Sequence, residues 1–152
     1  MDFTDIENNG YRIVTDNEMM DIDMIHHFIS TQSYWAQNIP EETITKSIRN
    51  SLCFGIFLQD KQVGFARLIT DKATFAYLAD VFILPEHRGK GLSKWLMNFI
   101  HQHPELQGLR SWILRTKDAH GLYEQFGWNK LTEEQVGRYM VKHNPDVYRK
   151  RE

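Results

Sequence analysis

The sequence predicts one α/β domain spanning residues 1–152, built as a mixed, mostly antiparallel sheet flanked by helices. Leu52 to Leu58 and Gln62 to Ile69 are apolar, aromatic-rich runs separated by Asp60-Lys61, the pattern of an antiparallel hairpin. A third such run, Thr74 to Leu84, is ended by Pro85. Behind it a glycine-bearing loop opens into Leu92, Leu96, Phe99 and Ile100, whose spacing is that of an amphipathic helix stopping near Pro104. With 41% hydrophobic and 25% charged residues, a chain of this length can bury a substantial core.

The other elements follow from the same rules. Arg12-Ile13-Val14 reads as a short first strand, and Asp21 to Thr31 places Ile22, Ile25, Phe28 and Ile29 at helical spacing. Ser33-Tyr34-Trp35-Ala36 then leads to Pro40, after which Glu41-Glu42 open a second helix with Ile44 and Ile48 on one face. Acids in the first turn suit its positive end. Ser111 to Leu114 is a further strand, Asp118 to Phe126 a short helix ended by Gly127, and Arg138 to Val141 a closing strand before a polar tail.

Composition narrows the function classes. A formal net charge of −2 shows none of the basic excess that neutralises phosphate backbones, which argues against nucleic acid. Cys53 is the only cysteine, so no intramolecular disulfide or multi-thiolate site can form, and seven histidines without ligand spacing give no metal site. The N-terminus is acidic and no apolar run approaches the roughly 18 residues of a membrane span. The expectation is a cytoplasmic protein, monomer or homodimer, neither exported nor embedded in a membrane.

Between the third strand and the next helix the chain reads Pro85-Glu86-His87-Arg88-Gly89-Lys90-Gly91-Leu92-Ser93-Lys94. Two glycines and a small serine let the backbone approach a ligand, and a helix N-terminus offers unpaired N–H groups to an anion, with Arg88, Lys90 and Lys94 adding charge. A Walker loop needs Gly-x-x-x-x-Gly-Lys-Ser/Thr and a dinucleotide fingerprint Gly-x-Gly-x-x-Gly; neither is complete here.

Arg88-x-x-Gly91-x-Ser93 does resemble the acyl-CoA signature of the GNAT superfamily of N-acetyltransferases, Gln/Arg-x-x-Gly-x-Gly/Ala, with Ser93 departing from the last position. The apolar strand and the Pro-acid pair before it fit the same resemblance. It implies the GNAT acyl-CoA N-acyltransferase fold with splayed central strands, acetyl-CoA as cofactor, and transfer of an acetyl group to a small-molecule or peptide amine. By position, Val81, Phe82 and Ile83 border the pantetheine arm, while Arg88, Gly89, Lys90, Gly91, Leu92, Ser93 and Lys94 cradle the pyrophosphate. An acyl-CoA-binding or regulatory domain without catalysis is the alternative.

Leu122-Tyr123-Glu124-x-Phe126-Gly127-Trp128 resembles the family's Leu-Tyr-x-x-x-Gly-Phe segment, with Trp128 in place of the usual phenylalanine. By itself a tyrosine on such a face is a core aromatic. The resemblance instead implies that Tyr123 lies near the cofactor sulfur and reprotonates the departing thiolate, a role that suits a phenol with an ordinary pKa near ~10. Thr116 stands where family members often have an asparagine that contacts the cofactor.

The amine must lose a proton before it attacks. Asp80, an acid inside the apolar run Phe75 to Ile83, has two open readings: proton acceptor on the substrate side, or structural acid paired with Arg67 on a neighbouring strand. Tyr34 and Trp35 either wall the acceptor pocket through cation–π attraction or plug the edge of the core. His87 and His120 flank the two motifs and read as surface or polar-contact residues, His120 being the nearer to Tyr123. Cys53 begins an apolar strand and reads as a small core residue, so direct transfer in a ternary complex is expected rather than a covalent acyl-enzyme.

Overall fold

The computed structural model describes residues 1–149. The chain opens with a helix, α1 (Thr4–Asn8), that sequence patterning did not predict, and then forms β1 (Tyr11–Val14). Asp21 caps the next helix, α2 (Ile22–Gln32), its carboxylate accepting from the Met24 amide at 3.1 Å. Pro40 precedes α3 (Glu41–Arg49), which carries acids in its first turn and bases in its last, as the helix dipole favours. The predicted hairpin is β2 (Leu52–Leu58) and β3 (Lys61–Thr70), and the third run is β4 (Phe75–Ile83). Beyond the glycine loop come α4 (Leu92–His101), β5 (Ser111–Leu114), α5 (His120–Glu124) and α6 (Glu133–Val136).

The five strands lie in the order β1-β2-β3-β4-β5, every pair antiparallel except β4 with β5, which are parallel and joined by the α4 crossover. Two apolar clusters sandwich the sheet. Phe54, Ile56, Leu68, Leu78 and Ile83 meet Trp95, Leu96, Met97 and Ile100 of α4, whereas Cys53, Phe65 and Phe82 meet Phe28 and Ile29 of α2 and Ile44 and Ile48 of α3. Phe82 stacks on Phe28 with ring centroids 4.0 Å apart. Each such side chain contributes about 1.5–3 kcal/mol by leaving water, so both helical layers are held on mainly by burial. Phe99, expected on the buried face of α4, is more than a third exposed; Trp95 and Met97 fill that stripe instead.

Two features of β4 shape the site. Its pairing with β5 ends at Leu78 opposite Leu114, so Ala79 to Ile83 run on without a strand beside them on that edge. On the other edge, Arg67 faces Ala79 and Phe65 faces Phe82, which leaves Asp80 and Val81 together opposite Ala66. That is a bulge, and Asp80 takes the left-handed backbone (φ 55°) that Asp tolerates better than most residues. The central strands are therefore splayed, as expected.

The predicted closing strand at Arg138 to Val141 does not form. Instead a Thr132 capping box starts α6 just ahead of it, the chain turns at Gly137 and Arg138, and Met140 is 98% exposed. Residues of good strand propensity stay irregular when no neighbouring strand takes up their backbone groups. The helix expected over Asp118 to Phe126 is also shorter, with Gly127 ending the turn at φ 87°.

Candidate active site

The loop between β4 and α4 is built for close approach to a ligand. Gly89 and Gly91 both have φ 79°, and a Cβ added at Gly89 would meet nothing within 4 Å. The first helical bond of α4 runs from the Trp95 amide to the Gly91 carbonyl, so the amides of Leu92, Ser93 and Lys94 precede it and point out of the helix end. Lys90 holds its ammonium 6.0 Å from the Tyr11 ring centre, and Tyr11 in turn bonds His87 Nδ1 at 2.8 Å. His87 thus braces the loop. Arg88 has a different contact from the free charge expected of it: its Nε donates to the Ile83 carbonyl at 2.9 Å, folding the guanidinium back onto the end of β4. The backbone beyond Leu78, the open glycine turn and the lysine charges fit an extended ligand ending in a pyrophosphate.

Val81 and Ile83 pack toward α4 and Phe82 toward α2, so all three side chains belong to the core. On the unpaired edge of β4 it is their backbone, not their side chains, that is left open.

Alanine at Gly91 isolates the backbone requirement. Its Cβ would sit at an ordinary 3.7 Å from Ile6 Cδ1, so the cost is the left-handed conformation, about 1–2 kcal/mol. If the loop relaxes to avoid it, affinity for an anionic ligand at this helix end falls about tenfold, which calorimetry reads directly.

On α5, Tyr123 is 8% exposed and packs into the α4-side core. No buried side-chain nitrogen or oxygen among the described residues lacks a partner, and Tyr123 makes no side-chain hydrogen bond among them, so its hydroxyl is not fully enclosed. Burial, with smaller contributions from Tyr34 and Asp118, pushes the phenol up to about 12. Thr116 Oγ1 accepts from the Ala119 amide at 3.0 Å, shaping the turn that leads into α5. His120 is exposed at the start of α5.

The α2–α3 connection ties these strands together at their mouth. Trp35 Nε1 donates to Asp80 Oδ1 at 2.8 Å, and the Lys117 amide donates to Tyr34 Oη at 3.1 Å, with the Lys117 ammonium 5.6 Å from the Tyr34 ring centre. One link is to β4 just past its last pair with β5; the other is to the chain just past β5. Tyr34 and Trp35 are 54% and 40% exposed, so they form an outer wall rather than a core plug. Asp80 Oδ2 accepts from Arg67 Nε at 2.9 Å, with the two side chains 10% and 15% exposed, and Arg67 Nη1 also reaches Ser51 Oγ at 3.2 Å.

Residues 49–130 match the family model described as the acetyltransferase (GNAT) domain. The chain belongs to the GNAT acetyltransferase family. It is similar to a Gibberella zeae protein named as an acetyltransferase, 33% identical over 135 residues that cover 74% of this chain and 75% of that one. It is also similar to the crystal structure of a GNAT-family protein from Xanthomonas campestris pv. campestris, 47% identical with a TM-score of 0.87, covering 92% of this chain and 97% of that one. An acetyltransferase from Clostridium acetobutylicum solved with acetyl-CoA shares the fold at 15% identity and a TM-score of 0.64, covering 88% of this chain and 94% of that one. The enzyme is therefore an acetyltransferase, and its family generally draws on acetyl-CoA.

Several contacts carried no sequence signal, although Arg67 was expected beside Asp80 and His87 beside the glycine loop. Arg67 with Ser51, the Lys117 amide, and Tyr11 with His87 meet their partners across separations of 16 to 83 residues, which only the sheet brings together. Burial pushes the Cys53 thiol up to about 12, consistent with its reading as a core residue. Among the described residues no cluster of His, Cys, Asp and Glu could hold a metal, and no helix is long and apolar enough to cross a membrane.

Proposed function

We propose that this acetyltransferase works as one catalytic domain that moves the acetyl group of acetyl-CoA onto a primary amine of a small molecule or peptide, by direct attack in a ternary complex. The observation that carries this reading is the parting of β4 from β5 at Leu78, with the glycine loop following β4 and Tyr123 on α5, the helix that follows β5. Acetyl-CoA supplies the activated thioester. The backbone of Val81, Phe82 and Ile83 receives the pantetheine arm, and the amides from Gly89 to Lys94, with Lys90 and Lys94, hold the pyrophosphate. Thr116 borders the same ligand.

Tyr123 keeps its proton at every physiological pH and delivers it to the sulfur as the amide forms. The acceptor enters against Tyr34 and Trp35, whose exposed rings suit an amine still carrying its proton. Asp80 serves this wall: both carboxylate oxygens are engaged, one by Trp35 and one by Arg67, which favours positioning over proton uptake. A buried lone thiol suits a reducing compartment such as the cytoplasm.

The test is CoA-thiol release from acetyl-CoA over polyamines, amino acids, aminoglycosides and peptides, with CoA and ATP compared in thermal shift. One amine class turns over, and CoA but not ATP raises the melting temperature by mass action. CoA binding without turnover of any amine transfers the assignment to a catalytically idle acyl-CoA-binding domain. No CoA binding overturns both.

A further inference from the structure

Trp128 departs from the phenylalanine of the family's segment, and the structure shows what the indole adds. Its Nε1–H donates to Nε2 of His101, the last residue of α4, at 2.9 Å. Indole nitrogen only donates, so Nε2 must be bare and the imidazole proton must sit on Nδ1, where it donates to the Met97 carbonyl at 2.7 Å. The two bonds fix one neutral tautomer. Around the ring stand Phe126, stacked at 5.6 Å and 13°, Trp112 of β5 at 5.2 Å, and Trp128 itself. None of these neighbours titrates, nor does Gln107, whose amide bonds the His101 carbonyl. Burial accordingly holds the imidazole below its ordinary value, with the Met97 carbonyl opposing more weakly.

Two of the three aromatic residues around His101 also hold Tyr123. The Phe126 and Trp128 amides donate to the Tyr123 carbonyl at 2.9 and 3.3 Å, and the Trp128 ring lies 6.0 Å from the Tyr123 ring. The α5 turn is only five residues long and has no side-chain cap, so beyond the packing of Ala119, Leu122 and Tyr123 on the core and the Thr116 bond to the Ala119 amide, these contacts are what fix it. Meanwhile α4 starts at Gly91 in the glycine loop and ends at His101, about 15 Å away at 1.5 Å per residue. One rigid helix thus carries the loop at its first end and the anchor of the tyrosine at its last.

We propose that His101 is a positioning residue for acetyl transfer: through Trp128 it sets where the Tyr123 hydroxyl stands relative to the glycine loop. The proposal rests on Tyr123 being the proton donor. A reach fixed by the length of α4 registers the phosphate end of the ligand against the atom that must receive the proton, and misplacement by a fraction of an ångström slows transfer without loosening the ligand. Protonating His101 would set Nε2–H against Nε1–H, so the anchor holds above the ordinary histidine range and fails as pH falls through the lowered value.

The experiment compares His101→Phe, which keeps the stack on Phe126 and loses the acceptor, with His101→Gln, whose Oε1 can take the indole proton, at a temperature where circular dichroism shows every variant folded. His101→Phe lowers kcat about tenfold with the KM for acetyl-CoA within twofold, and His101→Gln recovers most of the loss. In the Tyr123→Phe background the same His101→Phe change costs less than twofold, because its effect passes through the hydroxyl. A His101→Phe loss that persists undiminished in that background, a loss seen in KM alone, or no loss in kcat would each overturn the proposal. Failure of Tyr123→Phe to slow the enzyme is read separately, from that single variant, and removes the donor assignment itself.

Discussion

Tyr123→Phe lowers kcat at least tenfold and leaves affinity for CoA within twofold of wild type. The change deletes one oxygen from a ring that is otherwise packed into the α4-side core, so the fold loses little. Tenfold in rate is about 1.4 kcal/mol of transition-state stabilisation, a floor set below the roughly hundredfold or more that a positioned proton donor supplies, since water can replace part of it. Steady-state kinetics with CoA binding by calorimetry measures both quantities. Equal losses in kcat and CoA affinity would return Tyr123 to the core-aromatic reading.

The same side chain makes a signed prediction at alkaline pH. Its pKa in the folded protein is raised to about 12, against about 10 in the unfolded chain, so the folded state keeps the proton through that window while the unfolded state loses it. Its contribution is complete below pH ~10 and lost as pH rises toward 12. Phenylalanine has no proton to lose, so the variant's alkaline unfolding midpoint lies above that of wild type. Below pH ~10 the wild-type rate shows no fall from ionisation of Tyr123.

How much of this was legible in the sequence follows from the range over which each signal acts. The strands β1 to β5 and the helices α2 to α4 were readable because period-two and period-3.6 burial are local properties of the chain. Arg138 to Val141 failed for the complementary reason. A strand exists only with a partner, and β propensity cannot say whether one arrives. Within the candidate site, the glycine loop and Tyr123 sit on contiguous motifs and were visible. The carbonyl contact of Arg88 was not: the sequence showed a cation beside a phosphate loop, whereas the bond from its Nε to Ile83 depends on how the single turn at Pro85–His87 folds the chain back. The link from His101 to Trp128 was equally hidden, because a histidine closing a helix looks like any surface histidine until the indole is placed against it.

Asp80 is the residue at which a structural and a catalytic role can be separated, and Asp80→Asn is the substitution that does it. Asparagine has nearly the same size and tolerates φ 55°, so the bulge in β4 is kept and the loss reads the ion pair. Breaking a buried pair costs roughly 3–5 kcal/mol; with both side chains 10–15% exposed and Ser51 Oγ still accepting from Arg67, about 2–3 kcal/mol is expected. For a chain of this size that lowers Tm by about 5–10 °C. Asparagine Oδ1 can still accept from Trp35, so the acceptor wall stays in place and turnover falls less than tenfold at every pH. Arg67→Gln alone strands the carboxylate and costs a similar amount, but Arg67→Gln with Asp80→Asn sets two neutral amides against each other and recovers much of the Tm, because neither variant then buries an unpaired charge. Turnover that recovers with Tm in the double variant confirms positioning. If stability returns while the rate stays low, most sharply at low pH, the carboxylate itself takes the amine's proton, and the ion pair with Arg67 is what holds it ready to do so.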